Sequence, residues 1–199
     1  MSATSLPLGA RRSLAALRML VVLTVVLGLA YPLLFTGVAQ LVAGSRANGS
    51  FVEDADGAVV GSSLIGQAFD GPEWFHPRPS AAGDGYDALA SGASNQGPNS
   101  EDLLTLIEER RAAVAAANAV DPSQVPPDAV TASGSGLDPD ISVEYADLQV
   151  ERVAQARGLD AAAVRALVEE STAGRQLGFV GEPRVNVLML NLALERLEG

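Results

Sequence analysis

The chain has 199 residues, 48% of them apolar, and carries 13 basic against 24 acidic side chains for a net charge of −11. The length allows one medium-sized domain with additional segments. The apolar fraction excludes a wholly disordered protein, and the net negative charge disfavours binding to nucleic acid. Every basic side chain is an arginine, cysteine is absent, and His76 is the single histidine. Walker A loops, lysine Schiff bases and Cys/His zinc sites are therefore excluded.

Residues 19–43 form an uncharged, strongly apolar segment. A helix of this length, at about 1.5 Å per residue, would exceed the hydrocarbon thickness of about 30 Å. A cleaved signal peptide has an apolar region of only about 7 to 15 residues, and no clean A-x-A cleavage site follows this segment. We therefore predict a permanent membrane anchor.

The arginines that flank this segment predict its orientation. Residues 1–18 contain three arginines, whereas only Arg46 follows the segment closely. Because arginine-rich flanks stay on the cytoplasmic side, we expect residues 1–18 to be cytoplasmic and residues 19–43 to be a single transmembrane helix. Residues 44–199 would then form an extracytoplasmic domain at the cell membrane.

Within the predicted membrane helix, Pro32 cannot donate the hydrogen bond that would reach the Gly28 carbonyl. Thr24 and Gly28 form a pair of small residues on one face, as in helix-packing motifs. Two interpretations stay open. The segment is either a kinked helix that packs beside a partner, or an ordinary membrane helix, in which glycine and proline are frequent.

The exterior domain begins with an alternating segment, residues 51–66, which predicts two short strands around an Asp56-Gly57 turn. Residues 67–100 follow as a long loop rich in Gly, Pro, Ser and Asn that retains aromatic side chains. Long loops of this kind are usually folded and often functional.

Two charged or titratable residues stand out in this loop. Without a second histidine, His76 is expected to be a packed or capping imidazole rather than a catalytic or metal-binding one. Arg78, which lies between two prolines, is a candidate for a fixed ion pair or a contact with a partner. An internal salt bridge that pins the loop is an equally good interpretation.

Helical periodicity and capping residues predict four helices in the exterior domain. Asn99 or Ser100 would cap the first, Ser142 the second and Asp160 the third. The last segment, residues 182–199, favours a helix with Pro183 in its first turn, although alternating valines leave a strand open. The predicted fold class is α+β: one N-terminal transmembrane helix, then a mixed domain with a small sheet and several helices.

The segment TASGSGLDPDIS, residues 131–142, has two interpretations. Ser133, Ser135 and the neighbouring glycines could form an anion-binding nest, or the segment could be a tight connection through Asp138 into the helix that Ser142 caps. No lysine follows, and the G-x-S-x-G pattern of a hydrolase is not present. We expect the connection. Among the 24 acids, no spacing singles out a catalytic pair.

Several motifs nevertheless resemble those of one family, and they follow its order along most of the chain. They are YPL at 31–33, GQAF at 66–69, RPSA at 78–81, SGASNQGP at 91–98, TASGSGLDPDIS at 131–142, Q..RVA..RG at 149–158 and EPRVNVLMLNLAL at 182–194. On these residues the chain resembles the C chain of the potassium-transporting P-type ATPase, the KdpC family.

This resemblance implies a non-catalytic subunit of a complex that imports K⁺ with ATP. Its partners would be a channel-like A subunit, an ATP-hydrolysing B subunit, a small F peptide and membrane lipid, and those subunits rather than this chain would handle ATP and K⁺. The implied role is assembly, together with a rise in the B subunit's affinity for ATP that has been described as catalytic chaperoning. The candidate partner-interface residues are Thr24, Gly28, Tyr31, Pro32, Arg78, Ser80, Asn95, Ser133, Ser135 and Asp138.

An extracytoplasmic domain cannot touch cytoplasmic ATP, so any effect on ATP affinity would have to pass through the membrane partners. Two other functions remain as alternatives. One is a membrane-anchored envelope hydrolase that uses paired carboxylates, and the other is a chaperone that binds ATP directly. The sequence predicts no catalytic residue, metal site or cofactor site.

Overall fold

A computed structural model describes residues 7–197 of the chain, which divides into two units, Met1–Ser50 and Phe51–Gly199. The first unit is a nearly continuous helix. It consists of α1 (Leu8–Val25), a π-helical turn (Val26–Ala30) and α2 (Tyr31–Ala47). Within the described residues this is the one helix that is long and apolar enough to cross a membrane.

An irregular helix, one of the two interpretations left open for Pro32, is present as the π-helical turn that precedes this residue. The Tyr31 amide donates to the Val26 carbonyl, five residues back. This wider turn accommodates a proline whose ring would clash with the carbonyl of Gly28 in a regular α-helix. A second irregularity lies at Ala43, whose φ of −146° and ψ of 50° are not helical.

The second unit opens with the predicted hairpin. Strands β1 (Phe51–Glu53) and β2 (Val59–Ser62) are antiparallel, with a register shift at the end of β1. Between them Gly57 has a φ of 81°, and the Asp54 carboxylate accepts from two backbone amides of the turn. The predictions of two short strands and of a turn at Asp56-Gly57 are thereby confirmed.

Within the described residues, the remaining strands form one small antiparallel sheet. Four α-helices, together with two short 3₁₀-helices at Pro122–Gln124 and Pro127–Ala129, complete the α+β fold. The sheet order is β3 (Asp140–Ile141), β5 (Arg184–Asn186) and β4 (Thr172–Ala173). The helices are α3 (Glu101–Asn118), α4 (Val143–Arg157), α5 (Ala161–Ser171) and α6 (Val187–Arg196).

The capping predictions for α3, α4 and α5 are confirmed. The side chains of Ser100, Ser142 and Asp160 each accept from a backbone amide in the first turn of their helix. α4 ends at Gly158, whose φ of 67° suits a residue without a Cβ.

The predicted start of the last helix is wrong. Pro183 does not lie in a helical turn, because the next three residues form strand β5 and Asn186 is the N-cap of α6. The reason is tertiary. Val185 is fully buried as the central strand pairs with β3 on one side and β4 on the other, and both partners lie more than ten residues earlier in the sequence.

The core of this unit lies among α4, α5, α6 and β5. Its fully enclosed side chains include Val150 and Val153 of α4, Val164 and Val168 of α5, and Leu190 of α6. Helical spacing of these apolar residues gives each helix one buried face. Phe75, from the long loop, is also fully buried against this core.

The connection between β4 and β5, residues 174–183, is an ordered loop with an apolar tip. An ion pair joins Arg175 to Glu182 at its base, and Gln176 and Val180 exchange backbone hydrogen bonds of 2.9 Å in both directions. Leu177 and Phe179 at the tip are 86% and 74% exposed.

Candidate functional site

Segments that are far apart in the sequence meet around the glycine-serine segment. The contributing pieces are Gly66, residues 78–86, residues 91–92 and residues 131–142, which we call the loop cluster. These segments overlap four of the motifs noted in the sequence, and the fold joins residues more than 70 positions apart, such as Gly66 and Leu137.

Arg78 is the centre of the loop cluster. Its guanidinium donates to Oδ2 of Asp138 at 2.9 Å and, through Nε and Nη2, to the Thr131 carbonyl at 3.3 Å. The exposed fractions of the two charged side chains are 22% for Arg78 and 30% for Asp138. The internal ion pair that was left open for Arg78 is therefore present, and it ties the long loop to the start of β3.

Ser80 and Tyr86 close the same segment by side-chain contacts. The Ser80 hydroxyl donates to the Gly136 carbonyl at 2.6 Å and accepts from the amides of Ala82 and Tyr86. The Tyr86 hydroxyl donates to the Arg78 carbonyl at 2.6 Å. Burial raises the pKa of Tyr86, so the hydroxyl keeps the proton with which it donates.

Two glycines permit the close approach of these backbones. A Cβ on Gly66 would lie 2.5 Å from the Asp138 carbonyl oxygen, and one on Gly136 would lie 2.6 Å from the Ala82 nitrogen. The Gly66 amide donates to the Leu137 carbonyl at 2.8 Å. Side chains at these positions would separate the segments.

Three amides of the glycine-serine segment donate to acceptors inside the chain. Gly136 N–H donates to the Ser133 carbonyl, Leu137 N–H to the Ser135 hydroxyl, and Asp140 N–H to Oδ1 of Asp138. An anion-binding nest needs successive amides that point at the ligand. The geometry therefore favours the tight connection over a phosphate loop.

An open cleft of about 480 Å³ lies beside the loop cluster, and four carboxylates line it. The envelope hydrolase that was left as an alternative would require such a group of acids. Each carboxylate has a partner in the chain: Asp138 pairs with Arg78, Asp140 with Arg184, Glu182 with Arg175, and Asp128 accepts from Ser142. Burial raises the pKa of Asp140, and the charge of Arg184 opposes that shift. The acids thus serve as ion-pair and capping partners.

The other predicted interface residues are not part of this cluster. Asn95 is exposed in residues 91–98 with a φ of 53°. Thr24, Gly28, Tyr31 and Pro32 belong to the N-terminal helical unit, where all four are exposed. A Cβ on Gly28 would lie 3.9 Å from the Thr24 methyl group, so the helix itself tolerates a side chain there.

The side chains that hold the long loop in place were not among the residues predicted from the sequence. Gln149 of α4 exchanges hydrogen bonds with the backbone of His76, and Asn191 of α6 does so with Phe75. Both amides are almost completely buried. A polar residue within the apolar face of each helix was the available signal.

Two arginines of α4 extend this attachment. Arg152 donates to the carbonyls of Pro72 and Trp74, and Arg157 donates to the Glu73 carbonyl while its guanidinium lies 4.3 Å from the centre of the Trp74 ring. The loop is thus folded onto α4 and α6.

His76 is a packed residue of this loop. Its Nε2 lies 2.7 Å from the Gly71 carbonyl oxygen, and burial lowers its pKa, which that hydrogen bond only partly offsets. The neutral imidazole therefore donates from Nε2. Within residues 7–197, no group of three or more His, Asp or Glu side chains is arranged to hold a metal ion.

Comparison with known proteins gives the family. The model of the family described as "K+-transporting ATPase, c chain" matches residues 13–196. The chain belongs to the KdpC family.

Relatives agree over nearly the full length of the chain. A potassium-transporting ATPase KdpC subunit of Kineococcus radiotolerans is 61% identical over 92% of this chain and 93% of its own length. The proteins of the same name from Mycobacterium bovis and Gemmatimonas aurantiaca are 55% and 58% identical, over 94% and 92% of this chain and 99% and 92% of their own lengths. The KdpC-family chain is therefore a subunit of a K⁺-transporting ATPase.

Proposed function

We propose that this chain is the accessory, non-catalytic subunit of a high-affinity, ATP-driven K⁺ import complex. It assembles with a channel-like A subunit, an ATP-hydrolysing B subunit and a small F peptide. The observation that carries the proposal is the family match along residues 13–196, which includes both the apolar helix and the folded second unit. The internal pairing of the acids in the open cleft favours this role over an envelope hydrolase.

The N-terminal helix is the proposed membrane contact with the partner subunits. Within the described residues, the large apolar side chains of this helix are exposed along its length. Thr24 and Gly28 place small side chains on one face. Small residues let two membrane helices approach closely. The loop cluster, with Arg78, Ser80 and Asp138, is the proposed contact surface of the exterior domain.

The N-terminus is proposed to be cytoplasmic and the second unit extracytoplasmic, as the arginine distribution favours. A rise in the ATP affinity of the B subunit would then arise from a preference of this chain for one conformation of its membrane partners. A chaperone that binds ATP directly is the competing mechanism, and it requires the second unit to face the cytoplasm.

The assembly proposal is tested by Gly28→Leu, with Gly37→Leu as the matched control. Both glycines lie in the helix and neither has a clashing neighbour, but at about 100° per residue they lie on different faces of a regular helix. We expect Gly28→Leu to reduce co-purification of the channel-like subunit and K⁺-dependent ATPase activity by about tenfold or more, as loss of a close helix contact would.

In the same preparations Gly37→Leu should retain both properties. Equal loss in the two variants, or normal assembly of Gly28→Leu, would contradict the proposed membrane contact. Hydrolytic activity of the purified chain alone would instead support the envelope hydrolase.

A further inference from the structure

A second cleft lies among α3, α4 and the long loop, and it shares Pro79 with the loop cluster. Its volume is about 390 Å³ and its polar lining residues include Arg110, His76, Tyr145 and Asp70. Proline, alanine, valine and phenylalanine side chains form the rest of the wall. We call it the Arg110 cleft.

Arg110 is partly buried without a counter-ion. Its Nη1 donates to the Val130 carbonyl at 3.1 Å, and in the described chain no carboxylate pairs with its guanidinium. A guanidinium carries five N–H donors, so most of them remain for a ligand. Burial lowers the pKa of Arg110.

Tyr145 supplies a second unused donor. The residue is only 3% exposed, yet its hydroxyl makes no hydrogen bond within residues 7–197. No fully enclosed side-chain oxygen or nitrogen of the described chain lacks a partner, so this hydroxyl must reach open space, and the residue lines the Arg110 cleft. Burial raises the pKa of Tyr145 to about 12, and the hydroxyl therefore stays protonated and able to donate.

His76 adds a third polar group. Its Nε2 is occupied by the Gly71 carbonyl, whereas Nδ1 has no partner in the described residues. In the neutral ring Nδ1 accepts a hydrogen bond, and in the protonated ring it donates one. It can therefore bind an oxyanion that carries a hydroxyl group, or bind one after gaining a proton.

We propose that the Arg110 cleft is an anion site in which the Arg110 guanidinium and the Tyr145 hydroxyl bind a phosphate group beside His76. Arginine presents a planar fork of donors that matches phosphate oxygens. A tetrahedral oxyanion has enough oxygens to meet all three side chains at once, and its charge compensates the unpaired guanidinium. The site does not depend on the proposed role in K⁺ import.

Asp70 limits the affinity of this site. Its carboxylate also lines the cleft and repels an anion, as like charges do at short range. Removing that charge with Asp70→Asn should strengthen phosphate binding, whereas removing the charge of Arg110 should weaken it. The two opposite changes separate specific binding from a general loss of structure.

The test uses the full-length chain without a histidine tag, because the single histidine then gives one set of imidazole NMR signals. Inorganic phosphate is titrated at constant ionic strength, with glycerol phosphate as a model for a lipid headgroup and acetate as a carboxylate comparator. We expect a saturable shift of the His76 signals and a higher His76 pKa with phosphate or glycerol phosphate. The tighter of the two identifies the source of the phosphate group.

Arg110→Gln should weaken phosphate binding by about tenfold or more and Tyr145→Phe by about threefold to tenfold, as expected for a charge-assisted and a neutral hydrogen bond. Arg111→Gln is the matched control, since Arg111 adjoins Arg110 in α3 and does not line the cleft. Its affinity should match that of the wild type.

Three results would overturn the proposal. They are the absence of any saturable shift with either phosphate probe, equal weakening by Arg110→Gln and Arg111→Gln, and binding of acetate as tight as that of phosphate. Because Asp70→Asn is expected to gain affinity, a folding defect in the other variants would still leave a decisive measurement.

Discussion

At the scale of single residues, the loop cluster depends on two glycines that have no side chain as much as on the side chains that form hydrogen bonds. Gly66 and Gly136 carry no Cβ, and each lies where a Cβ would meet another backbone segment. Arg78 can reach Asp138 and Thr131 only because these backbones are close. The glycine positions therefore set the distance across which the ion pair forms.

Gly66→Ala tests this view directly. The new methyl group would lie 2.5 Å from the Asp138 carbonyl oxygen and 2.8 Å from Cε1 of Tyr86. Overpacking of this kind costs about 1 to 3 kcal/mol, so we expect a corresponding fall in the free energy of unfolding. Urea unfolding of the chain in detergent, followed by circular dichroism, measures it.

Gly134→Ala is the control for this experiment. Gly134 belongs to the same cluster, but a Cβ there would have no neighbour within 4 Å, and its change should stay within about 0.5 kcal/mol, as for other surface substitutions. A Gly66→Ala protein as stable as the wild type would show that the segments separate at little cost.

At the scale of elements, the long loop is held in place by α4 and α6 through buried amides. Asn191 donates to the Phe75 carbonyl at 3.0 Å and accepts from the Phe75 amide at 2.9 Å. These two hydrogen bonds satisfy the backbone N–H and C=O of Phe75, which would otherwise need partners such as a neighbouring strand. The loop therefore behaves as part of the core although it lacks regular structure.

Asn191→Leu should release that part of the loop. It leaves the buried N–H and C=O of Phe75 without partners, and each unsatisfied group costs about 1 to 3 kcal/mol. We expect a matching loss of stability and faster hydrogen exchange at the amides of Phe75 and His76. The exposed Asn99, changed to Leu, should leave both measurements unaltered, and unchanged exchange in Asn191→Leu would refute this role of α6.

Helix caps were predictable from the sequence, whereas one strand was not. The caps at Ser100, Ser142 and Asp160 are local signals, because the donor lies two or three residues from the acceptor. Ser142 and Asp160 were predicted, and Ser100 was one of two candidates for its helix. Strand β5 was not predicted, because both of its pairing partners lie more than ten residues earlier in the sequence and local alternation was too short to outweigh the helical pattern.

The same distinction holds for the candidate site. Arg78 was singled out by its two flanking prolines, yet its partner Asp138 is 60 residues away, and no local pattern names it. Gln149 and Asn191 interrupt apolar helix faces visibly in the sequence. Their partners are backbone groups, which are present in every residue type and therefore give no signal in the sequence. The attachment of the loop to α4 and α6 could therefore be recognised only in the structure.

At the scale of the whole molecule, charge is distributed unevenly along the chain. Removing the three arginines of residues 1–18 from the totals of 13 basic and 24 acidic residues leaves 10 against 24, or −14, for the remainder. The orientation that we propose, with the N-terminus in the cytoplasm, is supported by the three arginines that precede the membrane segment rather than by this net charge.

The orientation can be measured with single cysteines, because the chain has none of its own. Leu89 is 99% exposed in the second unit, and Ser13 precedes the predicted membrane segment. We expect a maleimide that does not cross membranes to label Leu89→Cys in whole cells and Ser13→Cys only after permeabilisation. The reverse pattern would place the second unit in the cytoplasm and favour direct binding of ATP.

The apolar tip between β4 and β5 makes the molecule vulnerable to cleavage at one point. Leu177 and Phe179 are exposed on a turn, which is where a protease that selects large apolar side chains can bind its target. A nick after Phe179 would free the peptide that carries β5 and α6, yet β5 pairs with strands on both sides and α6 is largely buried. The two fragments would stay together as a noncovalent complex until a denaturant separated them.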